Sequence, residues 1–131
     1  MIGLDTNILV RYFVKDDPKQ TLLAVNLIYA LSSPDPGWVG LATILELVWV
    51  MTSIYRVKKD RVVQILDILL ASHEIVVEQN ETVRDALRLY RAGNTEFPDC
   101  LIASSAKAAG CTRTLTFDRI AARDAGMQLV E

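Results

Sequence analysis

Short β-like runs alternate with longer helical patterns along the whole chain, and this alternation limits the possible folds more than any other feature. Strands separated by helices predict right-handed crossovers and a mostly parallel sheet. The 131 residues contain no internal repeat, low-complexity tract or linker. We therefore expect an α/β fold, a single domain over residues 1–131 with a short, mostly parallel central sheet flanked by helices on both faces.

Hydrophobic periodicity and helix-terminal signals predict where these elements lie. Strands are expected at residues 1–4, 38–39, 74–77, 112–117 and 127–130. Helices are expected at residues 7–14, 20–31, 42–53, 60–71, 82–91, 98–109 and 119–125. The first strand is apolar, and we expect it to be buried.

Three aspartates are expected at the ligand-binding edge of the predicted sheet. Ligands bind beyond the carboxyl ends of the strands in open parallel sheets. Asp5 and Asp118 each follow a predicted strand, and Asp99 lies in the first turn of a predicted helix. Each has an ordinary alternative explanation, because Asp often caps a helix or complements its macrodipole.

Glu46 is the acidic residue with the most unusual surroundings. It lies in ILELVWVM at residues 44–51, within a predicted helix that is apolar nearly all round. We therefore expect the helix and Glu46 to be buried. A buried carboxylate must be protonated, paired with a cation such as Arg11, or bound to a metal ion, because burying it unpaired is costly.

A divalent cation is the interpretation that we favour for the four acidic residues together. Crowded carboxylates raise one another's pKa and repel one another, unless a cation neutralises them. Carboxylate oxygens with few nitrogen ligands select hard ions such as Mg²⁺ or Mn²⁺. The sequence therefore predicts a site for one of these ions.

Other kinds of catalytic site have few residues to draw on. His73 is the only histidine, and we expect it to be structural or on the surface, which leaves little for a Ser-His-Asp or Cys-His site. No glycine-rich phosphate-binding motif occurs. Cys100 and Cys111 lack the spacing of a zinc site, and we expect both to be buried, reduced thiols.

Composition gives little indication of a partner. The net charge of −2 provides no overall electrostatic footprint for nucleic acid. No apolar run approaches the ~20 residues that cross a bilayer, and no signal peptide is evident, so we expect a cytoplasmic protein without a membrane partner. Two basic clusters are expected to be solvated faces: Lys58, Lys59 and Arg61, and Arg113, Arg119 and Arg123.

Four segments occur in an order and at separations that resemble a known family. They are DTNILVRYF at 5–13, the lone Glu46, FPDCLIA at 97–103 and TLTFD at 114–118. Together they resemble a PIN domain, and the size is similar to that of the VapC ribonuclease toxins of toxin–antitoxin pairs. The resemblance covers essentially the whole chain. It implies a Mg²⁺- or Mn²⁺-dependent endoribonuclease, a homodimer, and a cognate antitoxin protein that blocks the acidic pocket.

The resemblance also assigns roles to residues. The catalytic acidic positions correspond to Asp5, Glu46, Asp99 and Asp118. It implies metal binding by the three aspartates, with Glu46 as a further ligand or as the acceptor of the water proton. The supporting polar positions correspond to Asn7 and Thr116, and we expect Lys58, Lys59 or Arg119 to neutralise the approaching RNA phosphate.

Two positions near the third segment are less typical of the family. Many members place a further acid just upstream of this segment, where Glu96 is a candidate. Cys100 stands where a small alanine is common, and the difference concerns packing more than chemistry.

Two other functions remain open at this stage. One is a non-catalytic PIN-fold binding module, which tight binding of a partner without divalent binding would indicate. The other is a phosphoacceptor signalling domain, which needs paired acids after its first strand and a lysine after its last. The chain offers only Asp5 at the first place and no lysine beyond Lys107.

Overall fold

The structure is a computed structural model that describes all residues, 1–131. Its internal contacts divide the chain into two compact units, Met1–Glu78 and Gln79–Glu131. All five strands and seven helices expected from the sequence are present, within a few residues of the predicted bounds. The expectation that residues 1–131 act as one domain stays a prediction.

The first unit is built on a three-stranded parallel sheet. Its strands are β1 (Ile2–Gly3), β2 (Gly37–Val39) and β3 (Ile75–Val77), in the order β1-β2-β3. The register pairs Ile2 with Gly37, and Gly37 with Ile75. The helices are α1 (Thr6–Val14), α2 (Pro18–Ala30), α3 (Leu41–Trp49) and α4 (Lys59–Ala71), with a π-helical segment at Val50–Ile54 after α3.

The core of the first unit follows from helical periodicity. On α4 the buried residues are Val62, Ile65, Leu66, Leu69 and Leu70, one stripe along the helix. The expectation of a buried first strand is wrong at β1, where Ile2 is exposed and burial begins at Leu4. Strand β1 lies at the edge of the sheet, where its Ile2 side chain stays 41% exposed.

The second unit contains two packed helices and a two-stranded parallel sheet. Its elements are α5 (Asn80–Ala92), α6 (Phe97–Ala108), β4 (Leu115–Thr116), α7 (Arg119–Asp124) and β5 (Gln128–Leu129). Strand β4 pairs with β5 in parallel, with Leu115 opposite Gln128. Helix α5 packs on α6, and the Tyr90 and Phe97 rings meet edge to face with centroids 5.6 Å apart.

The fold class predicted from the sequence is confirmed as α/β, and every strand pair is parallel. The hydrogen bonds join the strands into two sheets, one in each unit. Cys100 is buried as expected, but the expected burial of Cys111 is wrong, because Cys111 follows the end of α6 on an exposed segment. None of the helices combines the length and apolar character that crossing a bilayer requires.

Candidate active site

Asp5 caps helix α1 with one carboxylate oxygen, and its other oxygen makes only one long hydrogen bond. Its backbone is extended, and Oδ1 accepts a hydrogen bond of 2.7 Å from the Thr6 backbone N–H. The Asn7 side-chain amide donates to Oδ2 over 3.5 Å, at the long limit for such a bond. Asp5 can therefore cap the helix and bind a ligand at the same time, because the cap uses Oδ1 and leaves Oδ2 accessible to a ligand.

Glu46 is exposed, and the expectation of its burial is wrong. Helix α3 buries Ile44, Leu47 and Val48, but its opposite side carries Glu46 and a Trp49 that is 58% exposed. The argument from the cost of a buried charge therefore does not apply. Glu46 makes no hydrogen bond or ion pair, so its carboxylate is available to a ligand.

Asp5 and Glu46 meet at one cavity within the first unit. The cavity has a volume of about 270 Å³, and its lining also includes Asn7, Arg11 and Tyr55. The first acidic segment, the lone glutamate and the predicted supporting Asn7 therefore share one site. This juxtaposition joins residues about forty positions apart in the chain, from α1 and α3.

Arg11 and Tyr55 at this cavity belong to a network that the sequence did not reveal. Arg11 Nε donates to Gln20 Oε1 over 2.6 Å, and Nη1 donates to Asp16 Oδ1 over 3.3 Å. The Tyr55 hydroxyl donates to Asp16 Oδ2 over 2.6 Å. Arg11 therefore pairs with Asp16, and the ion pair with Glu46 that the sequence left open does not form.

The hydrogen bond from Tyr55 lowers the pKa of the Asp16 carboxyl below its ordinary value of 3.8, with a smaller lowering from Arg11 and a partial offset from burial. Because the pKa is lowered on folding, the stabilisation is present above pH 3.8 and is lost as pH falls through the folded value.

We expect Tyr55→Phe to raise the Asp16 pKa towards its ordinary value, measured by NMR titration of the carboxyl carbon. Tyr29→Phe is the matched control, since Tyr29 is exposed; an unchanged Asp16 pKa in Tyr55→Phe would contradict the assignment.

Asp99 lies in the first turn of α6, as the sequence predicts. Its Oδ2 accepts a hydrogen bond of 3.1 Å from the hydroxyl of Thr95, a buried residue that no sequence pattern identifies as part of the site. Its Oδ1 has no hydrogen-bond partner. Glu96 precedes Asp99 as the N-terminal flanking residue of α6, and its exposed side chain makes no capping bond.

Asp118 caps α7, two residues beyond the end of β4. Its Oδ1 accepts bonds of 2.8 and 2.9 Å from the backbone N–H groups of Ile120 and Ala121. The Thr116 hydroxyl accepts the Asp118 backbone N–H over 3.0 Å, so Thr116 fixes the backbone of Asp118 and not its carboxylate. The other oxygen, Oδ2, has no hydrogen-bond partner.

The expected phosphate-neutralising residues lie at two helix starts. Lys58 flanks the start of α4, where Lys59 is the first helical residue, and Arg119 begins α7. Lys58 and Arg119 are exposed. Both side chains are therefore accessible to a ligand in solution.

The three aspartates share one arrangement. Each uses one oxygen in a local hydrogen bond, which fixes the carboxylate, and holds the other in a long bond or in none. Asp5 and Glu46 belong to the first unit, and Asp99 and Asp118 to the second. Neither unit by itself gathers three His, Cys, Asp or Glu side chains into a group that would hold a metal ion.

Comparison with known proteins identifies the family. The family model of the PIN domain matches residues 2–126, nearly the whole chain. A search of curated proteins finds no match. PIN domains are in general a nuclease fold family. The match spans far more than half of the chain and includes the segments that resemble the family, and the protein therefore belongs to the PIN-domain family.

Proposed function

We propose that this protein is a Mg²⁺- or Mn²⁺-dependent endoribonuclease and the toxin component of a toxin–antitoxin pair. The observation that supports it best is the cavity where Asp5 and Glu46 meet, in a chain that belongs to a nuclease fold family. The proposed reaction is hydrolysis of an RNA phosphodiester bond by metal-activated water.

The donor chemistry of the acidic residues fits a hard divalent cation. Asp5, Asp99 and Asp118 each present an oxygen with at most one long hydrogen bond, and Glu46 presents its whole carboxylate. All of these are carboxylate oxygens, the kind of ligand that Mg²⁺ and Mn²⁺ prefer. We propose that the three aspartates hold the ion, with Glu46 as a further ligand or a proton acceptor.

A bound divalent ion supplies Lewis acidity, which lowers the pKa of water and offsets the charge that develops on the phosphate. The protein's own residues hold and orient the reacting groups. The Thr6 backbone N–H orients the Asp5 carboxylate, with Asn7 in a longer contact, and Thr95 orients the carboxylate of Asp99. Glu46, exposed and unpaired, would accept the proton of the attacking water. Lys58, Lys59 and Arg119 would attract the RNA phosphates.

The experiment that tests this function is cleavage of a structured RNA by the purified protein with Mg²⁺ or Mn²⁺. We expect cleavage with either ion and complete loss of cleavage on addition of EDTA, because no histidine at the cavity can replace the metal in activating water. Restoring excess Mg²⁺ should restore cleavage. Cleavage that persists in EDTA would contradict the proposal. If calorimetry detected no Mn²⁺ binding while a partner protein still bound tightly, a non-catalytic binding module would be favoured.

The toxin assignment has a separate cellular test. We propose a homodimer and a cognate antitoxin protein as partners, on the basis of the resemblance to VapC toxins. Expression of the chain in a bacterial host should arrest growth, and Asp5→Asn should not. Co-expression of a small protein encoded beside the gene should relieve the arrest; growth arrest that is unchanged in Asp5→Asn would contradict the link between toxicity and the acidic site.

A further inference from the structure

A second cavity lies wholly within Gln79–Glu131 and contains none of the four acidic site residues. Its volume is about 580 Å³, within the ~300–1,000 Å³ range of ordinary ligand sites. Helices α5 and α6, the segment at 111–114 and the turn at 125–126 form its lining. We call this cavity the basic groove, for the charged residues that line it: Arg88, Lys107 and Arg113, with Asp85 as the only acid.

The basic groove carries two cationic charges without carboxylate partners. Arg88 is ion-paired with Asp85, three residues earlier on α5. Lys107 and Arg113 form no ion pair, and both are exposed. Two uncompensated cations at one cavity are notable in a chain with a net charge of −2. Because they come from different elements and line the same cavity, the groove is suited to a multivalent anion.

The segment that carries Arg113 is held in place by backbone hydrogen bonds. Helix α6 ends at Ala108, and Gly110, two residues later, has a φ of 94°, which is available to glycine at little cost. The N–H groups of Gly110 and Cys111 bond to the carbonyls of Lys107 and Ala106, the Schellman pattern. These two hydrogen bonds therefore hold in place the start of the segment that carries Arg113.

The other lining residues complete a set of phosphate-binding groups. Ser104, Thr112 and Thr114 line the groove beside the cations. Arg, Lys, Ser and Thr side chains make many of the contacts between proteins and nucleic-acid phosphates. Leu89, Ala103 and Ala125 add an apolar surface, on which a ribose or base can lie. Cations, hydroxyl groups and an apolar surface in one groove together match the phosphate, ribose and base of a nucleotide.

We propose that the basic groove binds the phosphodiester backbone of single-stranded RNA, with Lys107 and Arg113 as phosphate contacts, outside the acidic residues proposed for catalysis. The inference rests on the proposed function for the identity of the anion as RNA. It assigns a substrate-binding role to Lys107, and to Arg113, which the sequence predicts to lie on a solvated face.

The alkylation rate of the Cys111 thiol reports directly whether the basic groove is occupied. It lines the groove and is exposed, whereas Cys100 is fully buried, so Cys111 is the accessible thiol. We expect a short 2′-O-methyl RNA to slow the alkylation of Cys111 roughly tenfold at saturation, because access limits thiol reactivity. The measurement is made on the full chain in EDTA, so that no cleavage intervenes.

The variant Lys107→Gln/Arg113→Gln tests the phosphate contacts. Each contact with single-stranded nucleic acid contributes about 0.7 to the slope of log K against log salt concentration, so the slope should fall by about 1.4. Protection of Cys111 should also be lost. The matched control is Lys15→Gln/Lys19→Gln, which removes two exposed cations outside the groove and should leave slope and protection unchanged.

Every outcome of these measurements decides the proposal. An unchanged slope in Lys107→Gln/Arg113→Gln, or no protection of Cys111 by RNA, overturns it. Protection by polyglutamate and not by RNA overturns it in favour of an acidic polypeptide. The binding assay needs no metal, so protection by RNA without any nuclease activity would support the groove and contradict only the proposed reaction. Metal-dependent nuclease activity together with an unchanged salt slope in Lys107→Gln/Arg113→Gln would support the proposed reaction and contradict the groove.

Discussion

Asp5→Asn and Asp118→Asn are each expected to reduce metal-dependent RNA cleavage by at least about 100-fold while the protein stays folded. Removing a group that only supports a metal ligand reduces affinity or activity by about 10–100-fold, and loss of a ligand should exceed that. Asparagine caps helices about as well as aspartate, so the caps of α1 and α7 should survive. The substitution removes the negative charge and replaces the oxygen that is not used by the cap with an amide NH2 group, which cannot bind the ion.

Asp17→Asn is the matched control for these substitutions. Asp17 caps α2 by accepting the Gln20 backbone N–H over 3.0 Å, the same structural task as at Asp5, and it does not line the cavity of Asp5 and Glu46. Its substitution should leave single-turnover cleavage and Mn²⁺ binding unchanged. All three variants should melt close to the parent temperature. Full activity in Asp5→Asn, with Mn²⁺ binding intact, would show that Asp5 is a cap and nothing more.

The sequence predicted the elements and the caps well because both are determined locally. The buried stripe of α4 repeats at helical spacing within the helix itself. Asp118 caps through N–H groups two and three residues ahead of it. The sequence treated capping and metal binding as alternatives, whereas in the structure the cap at Asp5 and at Asp118 occupies only one oxygen of the carboxylate.

The prediction for Glu46 failed because the composition of a helix does not say which of its sides meets the core. Helix α3 is apolar on most sides, but the residues that pack inside are Ile44, Leu47 and Val48. Apolar residues make up much of any protein surface, and the exposed Trp49 beside Glu46 is an example. Glu46 remains a candidate for catalysis through the cavity that it shares with Asp5, and not through burial.

Features that depend on distant parts of the chain were the hardest to predict. Tyr55 reaches Asp16 across 39 residues and Arg11 across 44, and no local pattern signals such contacts. The basic groove is similar, since Lys107 and Arg113 are ordinary surface residues until folding places them at one cavity. In both cases the residue types were visible in the sequence and their convergence was not.

Phe97→Ala is expected to lower the free energy of unfolding by about 3–5 kcal/mol, the usual cost of truncating a buried aromatic residue to alanine. Phe97 is 1% exposed and packs edge to face on Tyr90 between α5 and α6, so its removal leaves a cavity and ends the ring contact. Phe117→Ala is the matched control in the same unit. Phe117 is 84% exposed, and its truncation should change stability by no more than about 0.5 kcal/mol.

The same substitution tests whether residues 1–131 unfold as one domain. Both tryptophans, Trp38 and Trp49, lie in Met1–Glu78, so tryptophan fluorescence reports the unfolding of that unit alone. Under a single cooperative transition, Phe97→Ala in the other unit must lower the urea midpoint seen by fluorescence as much as the midpoint seen by far-UV circular dichroism. A fluorescence midpoint that stays at the parent value, while circular dichroism shows an earlier transition, would mean that the two units unfold separately.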